Sequence, residues 1–229
     1  MNSNNIQIIC EIPARYGSQR LPHKNLKMLC GKKMIEYSIN AAKKSRFIDR
    51  IYVNTENQKI GQVAIDSGVE FYRRDSILSG PNRHSDDFNY DFIKKIHPDI
   101  LVMVNPVCPL ITTDDIDKTI NFFLKNKYNT VITVSHEYLQ CFFKNQPVNV
   151  ELKSKLLATQ DLEPVQIINW AVTIWDAKKF VERYETIGSG VLSGDIGFFP
   201  ISKKRAIKIS TLDDFEMAEA ILQYEKEKI

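Results

Sequence analysis

With 229 residues the chain is long enough for one large domain, or one domain with a small appendage. Its hydrophobic content of 43% and charged content of 26% are those of a globular protein. A net charge of +3 gives no global field that would argue for nucleic acid or an anionic membrane surface, so any basic function must come from local clustering. Cys10, Cys30, Cys108 and Cys141 are scattered without a CxxC pair, which is poor for zinc or a disulfide framework and reads as reduced thiols in a cytoplasmic protein. The polar start, residues 1–5, does not resemble a signal peptide, and no apolar run approaches a membrane span.

Strand and helix signals then alternate. The apolar run after Ile6 ends at Pro13 and reads as a buried strand. Residues 34–44 carry helical spacing and end on lysines, as a helix prefers. A strand at 50–54, a helix at 58–67 stopped by Gly68, and a strand at 70–72 follow. The next helix, 84–96, starts with Ser85 as the expected N-cap and closes at His97-Pro98. Residues 100–104 form the most apolar strand, 113–124 a helix, and 130–134 a strand. This rhythm predicts an α/β fold: a Rossmann-like, mostly parallel sheet flanked by helices.

The rhythm breaks near residue 135. Residues 136–166 look irregular and polar, a strand returns at 170–175, and a short helix at 176–183. A strand is expected at 206–209 and a terminal helix at 211–226, with Thr211 and Asp214 spaced as a capping box. The absence of a linker predicts a single domain over 1–229, with about 136–168 as a small dimerisation insertion.

The loop after the first strand carries the chemistry. Parallel sheets bind ligands at the carboxyl ends of their strands, where this loop must sit. Ala14, Gly17 and Ser18 are small enough for backbone N–H groups to approach phosphate oxygens. Arg15, Arg20 and Lys24 supply cations to a group carrying about four negative charges in a nucleoside triphosphate. Pro13 and Pro22 stiffen the ends. The Walker order GxxxxGK[ST] is absent.

Residues 12–26 resemble the signature loop of the CMP-sialic acid synthetases (acylneuraminate cytidylyltransferases) and of the related CMP-KDO synthetases. Further matches run in order: Gly31-Lys-Lys-Met-Ile, Val69-Glu-Phe-Tyr-Arg-Arg ending on Arg74, Asn105-Pro-Val-Cys-Pro-Leu, Gln160-Asp-Leu-x-Pro, Asn169-Trp-Ala at the family's Asn-Gly-Ala, and Thr211-Leu-Asp-Asp-Phe. The resemblance implies the nucleotide-diphospho-sugar transferase fold, a homodimer, and transfer of CMP from CTP to a hydroxyl of an acidic, nonulosonic acid-like sugar, releasing pyrophosphate. It implies that Arg15 and Lys24 are catalytic, and that Ala14, Arg15, Ser18, Arg20, Lys24, Asn25 and Arg74 hold the nucleotide. Asn105 and Gln160 would meet the acceptor, and Mg2+ would neutralise the triphosphate.

The second half departs from that pattern. Lys208 and Ser210 stand where the family carries two metal-holding aspartates, so no metal ligand is assigned. Thr159, Ile167 and Ile111 replace family arginines suited to carboxylate capture. These departures open alternatives: a phosphorylated or phosphonate non-sugar acceptor, or a catalytically weak nucleotide-binding homologue. Lys203, Lys204 and Arg205 are candidate substitute cations. Asp86 and Asp87 are the nearest metal candidates by type, although a helix-capping role suits them better.

Overall fold

The computed structural model describes residues 6–80, 82–152, 155 and 157–227; the polar start at 1–5 and three positions of the expected insertion lie outside them. The strands are β1 (Ile8–Pro13), β2 (Met28–Leu29), β3 (Lys32–Lys33), β4 (Arg50–Thr55), β5 (Glu70–Arg73), β6 (Ile100–Val104), β7 (Thr130–Glu137), β8 (Phe142–Phe143), β9 (Gln146–Pro147), β10 (Val165–Asp176) and β11 (Ile196–Pro200). The helices are α1 (Met34–Lys43), α2 (Gln58–Asp66), α3 (Ser85–Ile96), α4 (Thr113–Asn126), α5 (Ala177–Ile187) and α6 (Leu212–Lys226).

A seven-stranded sheet runs in the order β11-β7-β10-β6-β1-β4-β5. Only β10 runs antiparallel, to both β6 and β7; the other pairings in this sheet are parallel. Parallel pairs need crossover connections, and the helices supply them. Every residue of β6 is buried, which explains its unbroken apolar run: both faces of the sheet are covered. Each such side chain contributes about 1.5–3 kcal/mol when fully buried.

Helices α1, α2 and α4 close one face through Ile35, Ile39, Ile60, Val63, Ile116 and Ile120. Helices α3 and α5 close the other through Phe92, Ile93, Ala177 and Phe180. A third, smaller cluster places Leu21 of the basic loop and Leu29 of β2 against Leu110, Ile209 and α6 residues Phe215 and Ala218. The loop is thereby anchored from beneath, with its polar side chains left free to face the strand ends.

Several boundaries differ from the sequence reading. The strand expected at 206–209 is absent; Ile209 N donates to Val107 O at 2.8 Å, and Ile207 and Ile209 serve the third cluster instead. Alternating apolar residues there mark a tethered loop, not a ladder. Strand β11 was not anticipated, because Gly197 and Pro200 look like breakers. It lies at the edge of the sheet, where proline is tolerated, and a Cβ on Gly197 would meet the Tyr128 ring at 2.4 Å. Strand β10 begins at Val165, so the irregular middle is shorter than expected, and it holds the β8–β9 hairpin. The N-cap of α3 is His84, not Ser85, with the Asp87 carboxylate accepting from His84 N at 3.1 Å. Gly68 ends α2 with φ +70, and the Thr211–Asp214 capping box of α6 is present.

Candidate active site

Strands β1, β4, β5 and β6 are mutually aligned, so the segments leaving their carboxyl ends converge on one side of the sheet. A cavity of about 460 Å³ opens there. It collects Arg15, Ser18, Arg20, Lys24 and Asn25 from the basic loop, Arg74 and Ser79 after β5, Arg83 and Phe88 at α3, and Asn105 after β6. Trp170 and Trp175 of β10 join Lys208 and Ser210 from the far side. Among the described residues, six cations line the cavity and no carboxylate does.

The loop is held by its own backbone and by the neighbouring strand end. Ala14 N donates to Asn54 O at 2.9 Å, and Tyr16 N donates to Glu56 Oε1 at 2.8 Å. His23 takes a left-handed φ of 52 and packs its ring, tilted, against Tyr16 with centroids 4.1 Å apart, so it shapes the turn. The turn delivers Lys24, whose Nζ donates to Ile209 O at 2.9 Å, and Asn25, whose Nδ2 donates to Arg15 O at 3.2 Å. Burial, then Arg20, Lys208 and Arg15, lower the Lys24 pKa to about 8. That depression registers first the burial of the ammonium and then the cations gathered around it.

Arg74 is buried, and its guanidinium stacks over the Phe88 ring at 4.8 Å. One nitrogen reaches Glu56 Oε2 at 3.1 Å, and Ser79 Oγ donates to the same oxygen at 2.8 Å. Glu56 was not singled out from sequence. Its signal was its place just after the end of a parallel strand, the edge that carries function in this architecture.

Asn105 does line the cavity, and its N donates to Ala171 O at 2.9 Å, tying β6 to β10. Gln160 sits exposed in the turn Thr159–Asp161, away from this chain's cavity. Arg83, Phe88, Trp170 and Trp175 are cavity residues that the sequence reading did not place there. Next to Asn105, β10 shifts register between Ile168 and Thr173. At that bulge Trp170 takes φ 59, a conformation that costs about 1–3 kcal/mol for such a residue.

Other candidates have structural employment. Asp86 Oδ1 accepts from Gly190 N and Val191 N at 2.6 and 3.0 Å, and Asp87 accepts from Tyr184 Oη at 2.8 Å. Both fasten α3 to the α5 end of the sheet. Lys203 pairs with Glu137, Lys204 with Glu225, and Arg205 donates to Leu110 O. None of the three lines the cavity.

A protein-held magnesium does not fit these residues. No group of three or more His, Cys, Asp or Glu among the described residues is arranged to hold a metal ion. Lys208 and Ser210 do reach the cavity, at the positions expected for two aspartates. An ammonium repels a dication, and a lone hydroxyl is a weak ligand.

A family model described as cytidylyltransferase matches residues 9–224. The chain belongs to the cytidylyltransferase family. Among its relatives is the N-acylneuraminate cytidylyltransferase of Streptococcus agalactiae serotype V, 26% identical over 90% of this chain and 51% of the relative. The CMP-N,N'-diacetyllegionaminic acid synthase of Legionella pneumophila is 26% identical over 98% of this chain and all of its own length. This cytidylyltransferase-family chain thus spans about half the length of the first relative and the whole of the second. A solved CMP:2-keto-3-deoxy-manno-octonic acid synthetase complexed with CTP superposes with a TM-score of 0.75 at 15% identity, covering 96% of this chain and 99% of that one. That likeness establishes the shared fold. No helix among the described residues is long and apolar enough to cross a membrane.

Proposed function

We propose that this chain transfers CMP from CTP to a hydroxyl of a small acidic sugar and releases pyrophosphate. The observation that carries the reading is the convergence of six cations, with no carboxylate, on one cavity at the carboxyl ends of the parallel strands. A triphosphate brings about four negative charges; with Arg74 paired to Glu56 and Arg83 to Asp87, the other four cavity cations, Arg15, Arg20, Lys24 and Lys208, match that charge. Membership in the cytidylyltransferase family and the names of the relatives support the same reaction.

In this reaction the acceptor hydroxyl oxygen bonds to the α-phosphorus while the bond to the bridging oxygen breaks. Pyrophosphate leaves with that electron pair, and the hydroxyl proton passes to solvent. Arg15, Arg20 and Lys24 stabilise the charge that builds on the departing phosphates, with Lys208 adjoining them. Ala14, Ser18 and Asn25 position the nucleotide, and Arg74 orients its nucleoside end. Such fixed cations act without reorganisation at the moment of transfer. Asn105 adjoins the acceptor.

Gln160 is a candidate for the acceptor subsite of a second subunit. The segment at about 136–168 exposes Phe142 and Phe143 together with Leu157, Ile167 and Ile168, an apolar surface that favours a homodimer. With four free thiols and a cytosolic nucleotide as substrate, we place the reaction in the cytoplasm.

The test is a pyrophosphate-release screen. The four ribonucleoside triphosphates are each paired with keto-sugar acids and with phosphorylated or phosphonate acceptors. Release from CTP with a sugar acid alone is the expected result. Release only with a phosphorylated acceptor would replace the acceptor class, and CTP binding without any release would leave a nucleotide-binding homologue.

A further inference from the structure

We propose that Trp170 is a specificity-determining residue that shortens the acceptor end of the cavity. The proposal deepens the transferase reading and rests on it.

Trp170 is a left-handed non-glycine residue inside a sheet strand, with φ 59. Glycine is the residue that takes this backbone without strain, and a bulky side chain there is an outlier that the surroundings must impose. In the sequence motif Asn169-Trp-Ala, the tryptophan stands where the resembling family has glycine.

Packing does not account for the indole. Trp175, five residues along the same strand, is 1% exposed and belongs to the apolar cluster beneath α3 and α5. Trp170 is half-buried and joins none of the three apolar clusters. It lines the cavity, as Trp175 does, but without a place in the apolar core.

The bulge that aims it is firmly built. Asn169 Oδ1 accepts from Ala171 N at 3.0 Å and from Thr133 Oγ1 at 2.7 Å. Thr133 Oγ1 in turn accepts from Val172 N at 3.0 Å. Neighbouring groups on both sides of Trp170 are thus tied to β7, and the residue between them is fixed in its strained state. Bulges next to active sites redirect a side chain in this way.

Its place selects the acceptor. Ala171 O accepts from Asn105 N at 2.9 Å, so the backbone next to Trp170 is tied to Asn105, and both residues line the cavity. The cavity measures about 460 Å³ and must hold nucleotide and acceptor together. That is in the lower half of the roughly 300–1,000 Å³ typical of small-molecule sites. An indole at one end leaves room for a compact sugar acid that lays a ring face on it. It leaves none for a long exocyclic chain.

The experiment uses Trp170→Gly, which relieves the backbone, and Trp170→Asn, which tolerates the left-handed state with a small side chain. Keto-sugar acids graded in length, up to nonulosonic acids, are titrated calorimetrically into protein saturated with an α,β-methylene analogue of CTP. The same panel is then run for pyrophosphate release with CTP. Wild type should prefer the short acids. Both variants should move the long-to-short ratio of affinities, and of kcat/KM, by about tenfold or more toward the long acids. Analogue affinity should stay within about twofold. An unchanged ratio in folded variants overturns the inference while leaving the transferase reading intact. No pyrophosphate from wild type with any acid overturns the transferase reading. In that case, a variant that gains binding of a long acid refused by wild type still supports the inference. Failure of every form to bind any acid overturns both.

Discussion

The Arg74 guanidinium meets the Glu56 carboxylate at 3.1 Å at the wall of the cavity, with the arginine side chain 3% exposed and the glutamate 16%. The same carboxylate accepts from Tyr16 N and Ser79 Oγ. Three segments that leave β1, β4 and β5 are therefore pinned to one anion. Burial pushes the Glu56 carboxyl up, but the donors from Tyr16, Ser79 and Arg74 outweigh it and hold the group below the ordinary carboxylate range.

Glu56→Ala leaves a buried arginine without its partner. Breaking a buried pair from one side costs about 3–5 kcal/mol. A chain of this size shifts its Tm by roughly 2–4 °C per kcal/mol, so a drop of about 6–20 °C is expected by calorimetry. A drop under about 2 °C would mean the pair holds nothing. Because the folded pKa of Glu56 is depressed, its stabilisation is present above the unfolded pKa and is lost as pH falls through the folded value.

Glu11 is a second buried carboxyl, inside β1, with one oxygen accepting from Asn54 Nδ2 and the other without a partner. Burial raises its pKa to about 8, against lowering contributions from Asn54 and Arg74. Between the ordinary carboxylate range and about 8 the folded chain holds a proton that the unfolded chain releases, so stability declines as pH rises through that window. Glu11→Gln removes the titration. It should melt within a degree or so of wild type near pH 4 and several degrees higher near pH 8.5. Parallel melting curves at both pH values would refute the buried-acid account.

Arg15→Ala and Lys24→Ala should each lower kcat/KM by about 10²–10³-fold, the scale of losing one preorganised charge at a reacting centre. Circular dichroism should remain native. Wild-type-like rates in both variants would remove the basic loop from the chemistry. Nucleotide binding should also weaken as pH rises above about 8, because Lys24 loses its proton there in the free protein. A bound polyphosphate favours the charged form, so binding takes up a proton. Lys24→Arg keeps the charge and should flatten that slope.

The sheet was legible because fully buried parallel strands are continuous apolar runs, as β6 is, and because caps such as Thr211 with Asp214 signal themselves locally. The basic loop was legible for a similar reason: small residues, prolines and cations coincide at one strand end. The aromatic wall was not. Phe88, Trp170 and Trp175 come from a helix and an antiparallel strand distant in sequence, and only the fold brings them to Arg15 and Lys24. Trp170 in particular depends on a bulge whose hydrogen bonds run from β10 to β7. The strand misread at 206–209 shows the converse: alternation registers burial on one side, and a tethered loop satisfies that as well as a ladder does.

The apolar surface of the middle segment supports an assembly test. Phe143 is 67% exposed and sits in the β8–β9 hairpin, so it contributes little to this chain's own core. Wild type should sediment as a dimer, and Phe143→Asp should shift it toward monomer with its melting temperature nearly unchanged. A monomeric wild type at micromolar concentration would remove the dimerisation insertion.

Magnesium supplies the sharpest electrostatic test. With Lys208 and Ser210 in the cavity and no carboxylate along its wall, the site offers a dication repulsion and no ligand set. Free CTP carries about four charges, and its magnesium complex about two, so the fixed cations should hold the free nucleotide at least as tightly. Calorimetric Kd values in EDTA are therefore expected to equal or undercut those in excess magnesium. Replacing both residues, Lys208→Asp with Ser210→Asp, should reverse the order, because two carboxylates then repel the bare triphosphate and bind the metal that screens it. A wild-type Kd tenfold tighter with magnesium than without would show that the cavity's cations do not complete the site.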